Sequence, residues 1–420
     1  MGLFEISAIL IVLTALFSFV NYRTIRLPTT VGVMVIALLV SLGLIILNRF
    51  GIGIGHQQAA GLVAGINFNE TLLHGMLGFM LFAGAMQINM SELASQKWNV
   101  LILSTVCVVA STFIVGGISW RVLDMLGFPQ PFIFCLLFGA LISPTDPVAV
   151  LGVIKTAGVS KRLETQIAGE ALFNDGVGVV VFMIILALAK GGHDVTPLTI
   201  VKLFLEEAVG GITFGLFLGY VTIQLLKRVD NFQVEILLTL AAVMGGSVLA
   251  DALKTSGPLA IVVTGLIIGS HGRTFAMSET TRENLDNFWQ VINEILNAVL
   301  FLLIGLEVLA MSFSIDYLVA GLLAIPIVLL ARGLSVGGTI TVLRICREFT
   351  QGEVKIITWA GLRGGLSVAM ALSLPSSPSR DVILAMTYVV VVFSIIIQGL
   401  TMEKMTKRAL AVKPEKRKVD

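Results

Sequence analysis

The sequence predicts an all-α, polytopic membrane protein of about 13 transmembrane helices, built as two inverted-topology repeats with discontinuous crossing helices. Three observations carry this expectation. Of 420 residues, 56% are hydrophobic and only 13% are charged, well below the ~25% of ordinary soluble domains; the mean hydropathy is +0.96. Apolar segments long enough to cross a bilayer core of ~30 Å recur along nearly the whole chain. Interruptions rich in proline or glycine fall in the fifth and twelfth of these segments.

The spans are expected at 3–21, 27–49, 66–88, 98–120, 131–154, 165–189, 198–226, 234–253, 257–274, 287–311, 315–342, 353–374 and 381–402. The first, in "MGLFEISAILIVLTALFSFVNYRTIRL", carries its arginines after the apolar run and reads as a retained span, not a cleaved leader. The fourth is bracketed by Trp98 and Trp120. The rise between them, ~33 Å, matches a bilayer core with interfacial aromatics at both edges.

Basic residues test the count. Odd-numbered loops and the tail hold 20, among them Arg23, Arg26, Lys161, Arg162, Lys227, Arg228 and seven from Lys404 to Lys418; even-numbered loops hold 6. This asymmetry places the C-terminus in the cytoplasm and the N-terminus outside a cell membrane. The net charge of +2 says little about partners, and no nucleic-acid partner is expected. Cys107, Cys135 and Cys346 have no metal spacing, and no cofactor motif is present.

Polar residues within the apolar segments need an account, because each costs a few kcal/mol in hydrocarbon. Span 5 reads "FCLLFGALISPTDPVAVLGVIK", with Pro144 and Pro147 flanking Thr145 and Asp146. Two prolines remove two backbone donors and break the ladder, which survives only inside protein or beside a water-filled cavity. Asp146 either caps the second half-helix or serves an ion site.

Span 6 carries "GEALFNDGVG". At 100° per residue, Asn174 lies about 40° from Glu170 and Asp175 about 140° from it. One carboxylate can therefore be tied up while the other faces a cavity. Span 11 holds Arg332, and span 12 holds Arg363 among Gly361, Gly364 and Gly365. That glycine density permits unwinding. Spans 5 and 12 correspond if spans 1–6 and 8–13 are repeats joined by span 7. The odd offset then sets equivalent spans in opposite directions, the sequence pointer to a transporter site. Elsewhere, Glu307 reads as a helix-end residue, and Asn293, Glu294 and Asn297 as one polar face of span 10. His56, His74, His193 and His271 are scattered.

"SPTDPVAV" (143–150), "GEALFNDGVGVVVF" (169–182), "ARGLSV" (331–336) and "GLRGGLSVAMALSLP" (361–375) together resemble the cation:proton antiporter-1 family of monovalent cation/proton exchangers. The resemblance covers most of the chain. It implies the NhaA/NhaP-like fold, with dimerisation or scaffold helices at 1–97 and 231–314. Core transport helices fall at 98–190 and 315–403, a linker helix at 191–230 and a basic tail at 404–420.

By position, Asp175 resembles the transport carboxylate and Asn174 its neighbour. Asp146 and Thr145 resemble the other ligands of a sodium transport site. Glu170 and Arg332 resemble a structural ion pair, while Arg363, Pro144, Pro147 and Gly364 support the helix breaks. Two departures stand out. Ala171 replaces a frequent serine, and Gln87 and Asn89 stand where some relatives carry an acid.

The expected activity is antiport of Na+ or Li+, with K+ as a further candidate, against H+. A single carboxylate that holds either a cation or a proton suffices for exchange with alternating access. Because Asn174 cannot titrate, the expected exchange is one for one and electroneutral. The expected assembly is a homodimer in the lipid bilayer. Two other readings remain open at this stage. A channel needs a continuous polar pore, and an intramembrane aspartyl protease needs two acids sharing a proton.

Overall fold

The computed structural model describes residues 3–50, 61, 71–146, 159–190, 197–272, 277–310, 314–344 and 352–410. Pro147, the rest of expected span 5 to residue 154, His56, His193 and Cys346 lie outside them. Among the described residues all regular structure is helical, with no strand.

In chain order the helices are α1 Leu3–Val20, α2 Thr29–Arg49, α3 Leu77–Gln87, α4 Met90–Met125, α5 Phe132–Ile142 and α6 Lys161–Ala189. There follow α7 Pro197–Leu226, α8 Phe232–Ala252, α9 Gly257–Ile267, α10 Glu279–Glu307 and α11 Ile315–Leu343. The last four are α12 Glu353–Trp359, α13 Gly365–Leu372, α14 Pro378–Phe393 and α15 Gly399–Leu410. π-helical turns lie at Asn21–Ile25, Thr71–Met76, Ile268–Gly272 and Ser394–Gln398.

Nine stretches among the described residues are long and apolar enough to cross a membrane. They coincide with expected spans 1, 2, 4, 6, 7, 8, 10, 11 and 13. Spans 3, 5 and 9 appear as the shorter apolar helices Leu77–Gln87, Phe132–Ile142 and Gly257–Ser270. Span 12 is split into α12 and α13. The short and broken helices thus include both segments whose composition forecast an interruption.

Local sequence explains the helix starts. Asn89 caps α4, its side-chain oxygen accepting from the Ser91 and Glu92 amides. Asn231 does the same for α8, and Ser160, Ser256 and Ser278 cap α6, α9 and α10. Asn89 therefore acts as a cap in this chain. The cap also lengthens α4 to 36 residues, well beyond the expected 98–120, because the polar turn before Trp98 continues the helix into the aqueous zone. Lys97 Nζ lies 6.0 Å from the Trp98 ring and the Arg121 guanidinium 4.7 Å from that of Trp120, as expected of an interfacial belt.

The chain falls into two compact units. The first comprises Met1–Ile88, His193–Leu318 and Gly365–Ala385; the second comprises Asn89–Gly192, Val319–Gly364 and Met386–Asp420. In the first unit, α7 packs on α9, α10 on α2, and α9 on α3. Trp289 anchors its core, with ring centroids 4.5 Å from Phe82 and 5.5 Å from Phe288. In the second unit, α4 packs against both α5 and α6. A Cβ on Gly139 of α5 would overlap the Thr112 backbone of α4, so glycine lets these two helices touch main chain to main chain. Buried Leu103, Ile167, Val336, Ile356, Leu362 and Met402 fill the apolar core beside the helix breaks.

Candidate ion-binding site

Every described residue of the predicted site lies in the second unit. The break in span 5 is visible from its first half: α5 ends at Ile142, and Ser143–Asp146 are non-helical. Carbonyls just past the helix end lack helical partners, and Arg363 supplies donors to two of them. The Arg363 Nη1 donates to the Ser143 carbonyl at 2.5 Å and to the Pro144 carbonyl at 2.8 Å. The two interruptions also bond backbone to backbone, the Asp146 amide donating to the Leu362 carbonyl at 2.8 Å. On the other side, the Arg363 amide donates to Ser394 Oγ at 2.9 Å. Ser394 opens the π turn of span 13, a local widening that often marks functional positions.

Glycine permits close approach to the span-5 break at two points. A Cβ at Gly364 would meet the Asp146 carboxylate, and one at Gly178 would meet the Pro144 ring. Only hydrogen leaves room there.

α6 distributes its three polar residues among three tasks. Glu170 is buried and pairs with buried Arg332, Oε1 to Nη2 at 2.5 Å; Arg332 also donates to the Ile357 carbonyl at 3.4 Å. Asn174, fully buried, faces the span-5 break. Its Oδ1 accepts from the Thr145 amide at 3.2 Å, and its Nδ2 donates to Thr145 Oγ1 at 2.8 Å. Both ends of the amide are thereby used. Asp175 is 9% exposed. Among the described residues it makes no hydrogen bond or ion pair, and the charge that acts on it is that of Asp146. Ala171, one turn earlier, is buried and adds no oxygen.

The structure thus gathers Thr145, Asp146, Glu170, Asn174, Asp175, Arg332, Arg363, Pro144 and Gly364 in one unit. Sequence reasoning missed Ser394, Ser143 and Gly178. A lone serine in "VVVVFSIIIQ" is one signal for the first, and a glycine one turn after Asp175 is the signal for the last. The Leu362 carbonyl is a backbone group that no side-chain pattern reveals.

Chemically, the site offers hard oxygen donors and two cations already committed elsewhere. Oxygen donors suit alkali cations. Two arginines and three carboxylates leave one negative charge to be balanced.

A family model described as "Sodium/hydrogen exchanger, transmembrane" matches residues 9–408. The chain is 47% identical over 414 residues to the Na(+)/H(+) antiporter NhaP of Pseudomonas aeruginosa, covering 98% of each. It is 36% identical to the Na(+)/H(+) antiporter NhaH of Halobacillus aidingensis, covering 81% of this chain and 83% of the relative. Among solved structures, the sodium proton antiporter MjNhaP1 from Methanocaldococcus jannaschii matches with a TM-score of 0.76 at 19% identity. That match covers 98% of this chain and 100% of the other and establishes the fold.

Proposed function

The chain belongs to the sodium/hydrogen exchanger family, and from that premise we propose that it exchanges one monovalent cation for one proton at Asp175. Members of this family are transporters, not enzymes, and cross the membrane several times. The observation that carries the assignment is the state of Asp175: a buried carboxylate, without hydrogen bond or ion pair among the described residues, beside a helix break. Every other charged group named around it has a partner.

Sodium or lithium, and potassium by the same hard-oxygen chemistry, binds between the Asp175 and Asp146 carboxylates with a Thr145 oxygen. Water takes the place left by Ala171. Asn174 holds Thr145 in position, its amide accepting from the Thr145 backbone and donating to the Thr145 hydroxyl. Glu170 and Arg332 neutralise each other, and Arg363 fixes the crossing.

Charge then explains coupling. With Asp146 and Asp175 ionised, the empty site carries one net negative charge. Either one sodium or one proton makes it neutral. Moving a charged site through a low-dielectric barrier costs several kcal/mol, so only the loaded forms cross. The result is obligatory, electroneutral exchange with alternating access. The basic loops put the N-terminus outside and the C-terminus in the cytoplasm. The working form is a homodimer joined through the scaffold helices.

The test is proton flux in proteoliposomes driven by Na+, Li+ and K+ in turn, for the wild type and Asp175→Asn. Exchange in the wild type and none in a folded Asp175→Asn is the expected result. Full exchange in that variant removes Asp175 from the site.

A further inference from the structure

We propose that Glu235, in the first unit and outside the transport site, is a second proton-binding site whose occupancy is felt by Trp289. Glu235 stands in the first turn of α8, four residues after its cap Asn231, and none of its surface is exposed. No side chain among the described residues hydrogen-bonds either carboxylate oxygen, and the only donor that acts on it is the backbone of its own cap, Asn231. A buried carboxyl group in that condition is costly as an anion, since no cation balances the charge. A proton is the smallest ligand that removes the cost.

The surroundings offer no fixed cation in its place. α8 packs against α3, α7, α9 and α10. Neither α3 nor α9 carries a charged residue. Those of α7, Lys202, Glu206 and Glu207, lie at its far end, where the Glu207 carbonyl accepts from the Ser256 amide. The start of α10 brings Glu279, Arg282, Glu283 and Asp286, and none of them pairs with Glu235. Lys227 and Arg228 in the preceding loop are exposed, as is Asp230, whose charge is the one that reaches Glu235.

One turn along the same face, Thr239 is fully buried and accepts from Trp289 Nε1 at 3.1 Å, while donating to the Ile236 carbonyl at 2.9 Å. Trp289 in turn packs on Phe79, Phe82 and Phe288. A change of charge at Glu235 therefore acts within one helical turn of a buried indole whose only polar atom is already committed.

Infrared difference spectroscopy of the full-length protein in liposomes, recorded across a pH titration, tests this directly. A carboxyl band that titrates in the wild type should vanish in Glu235→Gln and persist in Asp175→Asn. A spectrum unchanged by Glu235→Gln overturns the proposal. If that variant fails to fold, a protein retaining only Trp289 (Trp98, Trp120 and Trp359 each changed to Phe) should show pH-dependent emission. Its midpoint should move to lower pH when the exposed Asp230 is changed to Asn, because a neighbouring negative charge disfavours the anion. Flat emission, or a midpoint indifferent to Asp230→Asn, refutes it. Neither readout requires cation exchange, so failure here is distinct from failure of the transport assignment.

Discussion

At position 174 a single amide decides both shape and charge. Asn174→Asp keeps an acceptor for the Thr145 amide but loses the donor to Thr145 Oγ1, and it adds a titratable group beside Asp175. Exchange in this variant should become sensitive to an imposed membrane potential, at ~2.3 kcal/mol per charge per 100 mV, whereas the proposed electroneutral exchange of the wild type should not respond to it. Flux measured under valinomycin-clamped potentials separates the two. The Glu170–Arg332 pair has a different role. Glu170→Gln strands a buried guanidinium and should cost about 3–5 kcal/mol. Pairing it with Arg332→Met should recover much of that loss, as read by thermal unfolding in detergent.

Two glycines contact the span-5 break, and their substitution tests how tightly it is packed. Gly178→Ala drives a methyl into the Pro144 ring, and Gly364→Ala drives one into the Asp146 carboxylate. Overpacking of this kind costs about 1–3 kcal/mol. Gly364→Ala should reduce exchange more than it reduces stability, because the displaced atom is a proposed ligand; Gly178→Ala should affect both together. Transport rate and melting temperature measured on the same preparations distinguish these outcomes. Ser394→Ala removes the acceptor for the Arg363 amide and should cost about 1 kcal/mol.

For the whole molecule, the proposed competition between a proton and a cation at one carboxylate sets the expected pH response. As pH falls through the titration of the loaded site, protons displace sodium, so the apparent KM for sodium should rise by up to about tenfold per pH unit. Maximal rate under saturating sodium should change far less. Initial rates at graded sodium and pH measure both. A maximal rate that collapses while KM stays constant would instead point to protonation away from the cation site.

Composition and spacing determined much of this protein. Hydrophobic runs fixed the helices because a chain in lipid must satisfy its backbone within each segment. Pro144 in span 5, and the glycines around Arg363 in span 12, marked the interruptions because proline removes donors and glycine tolerates unwinding. Angular spacing on α6 by itself separates Glu170 from Asp175. Tertiary structure alone decided who partners whom. That Asn174 spends both amide ends on Thr145, that Arg363 satisfies the Ser143 and Pro144 carbonyls, and that the Asp146 amide reaches Leu362 are contacts between segments far apart in sequence. A helical period says which way a side chain points along its own axis. It carries no information about which other helix waits there, and that is set only when the broken helices pack.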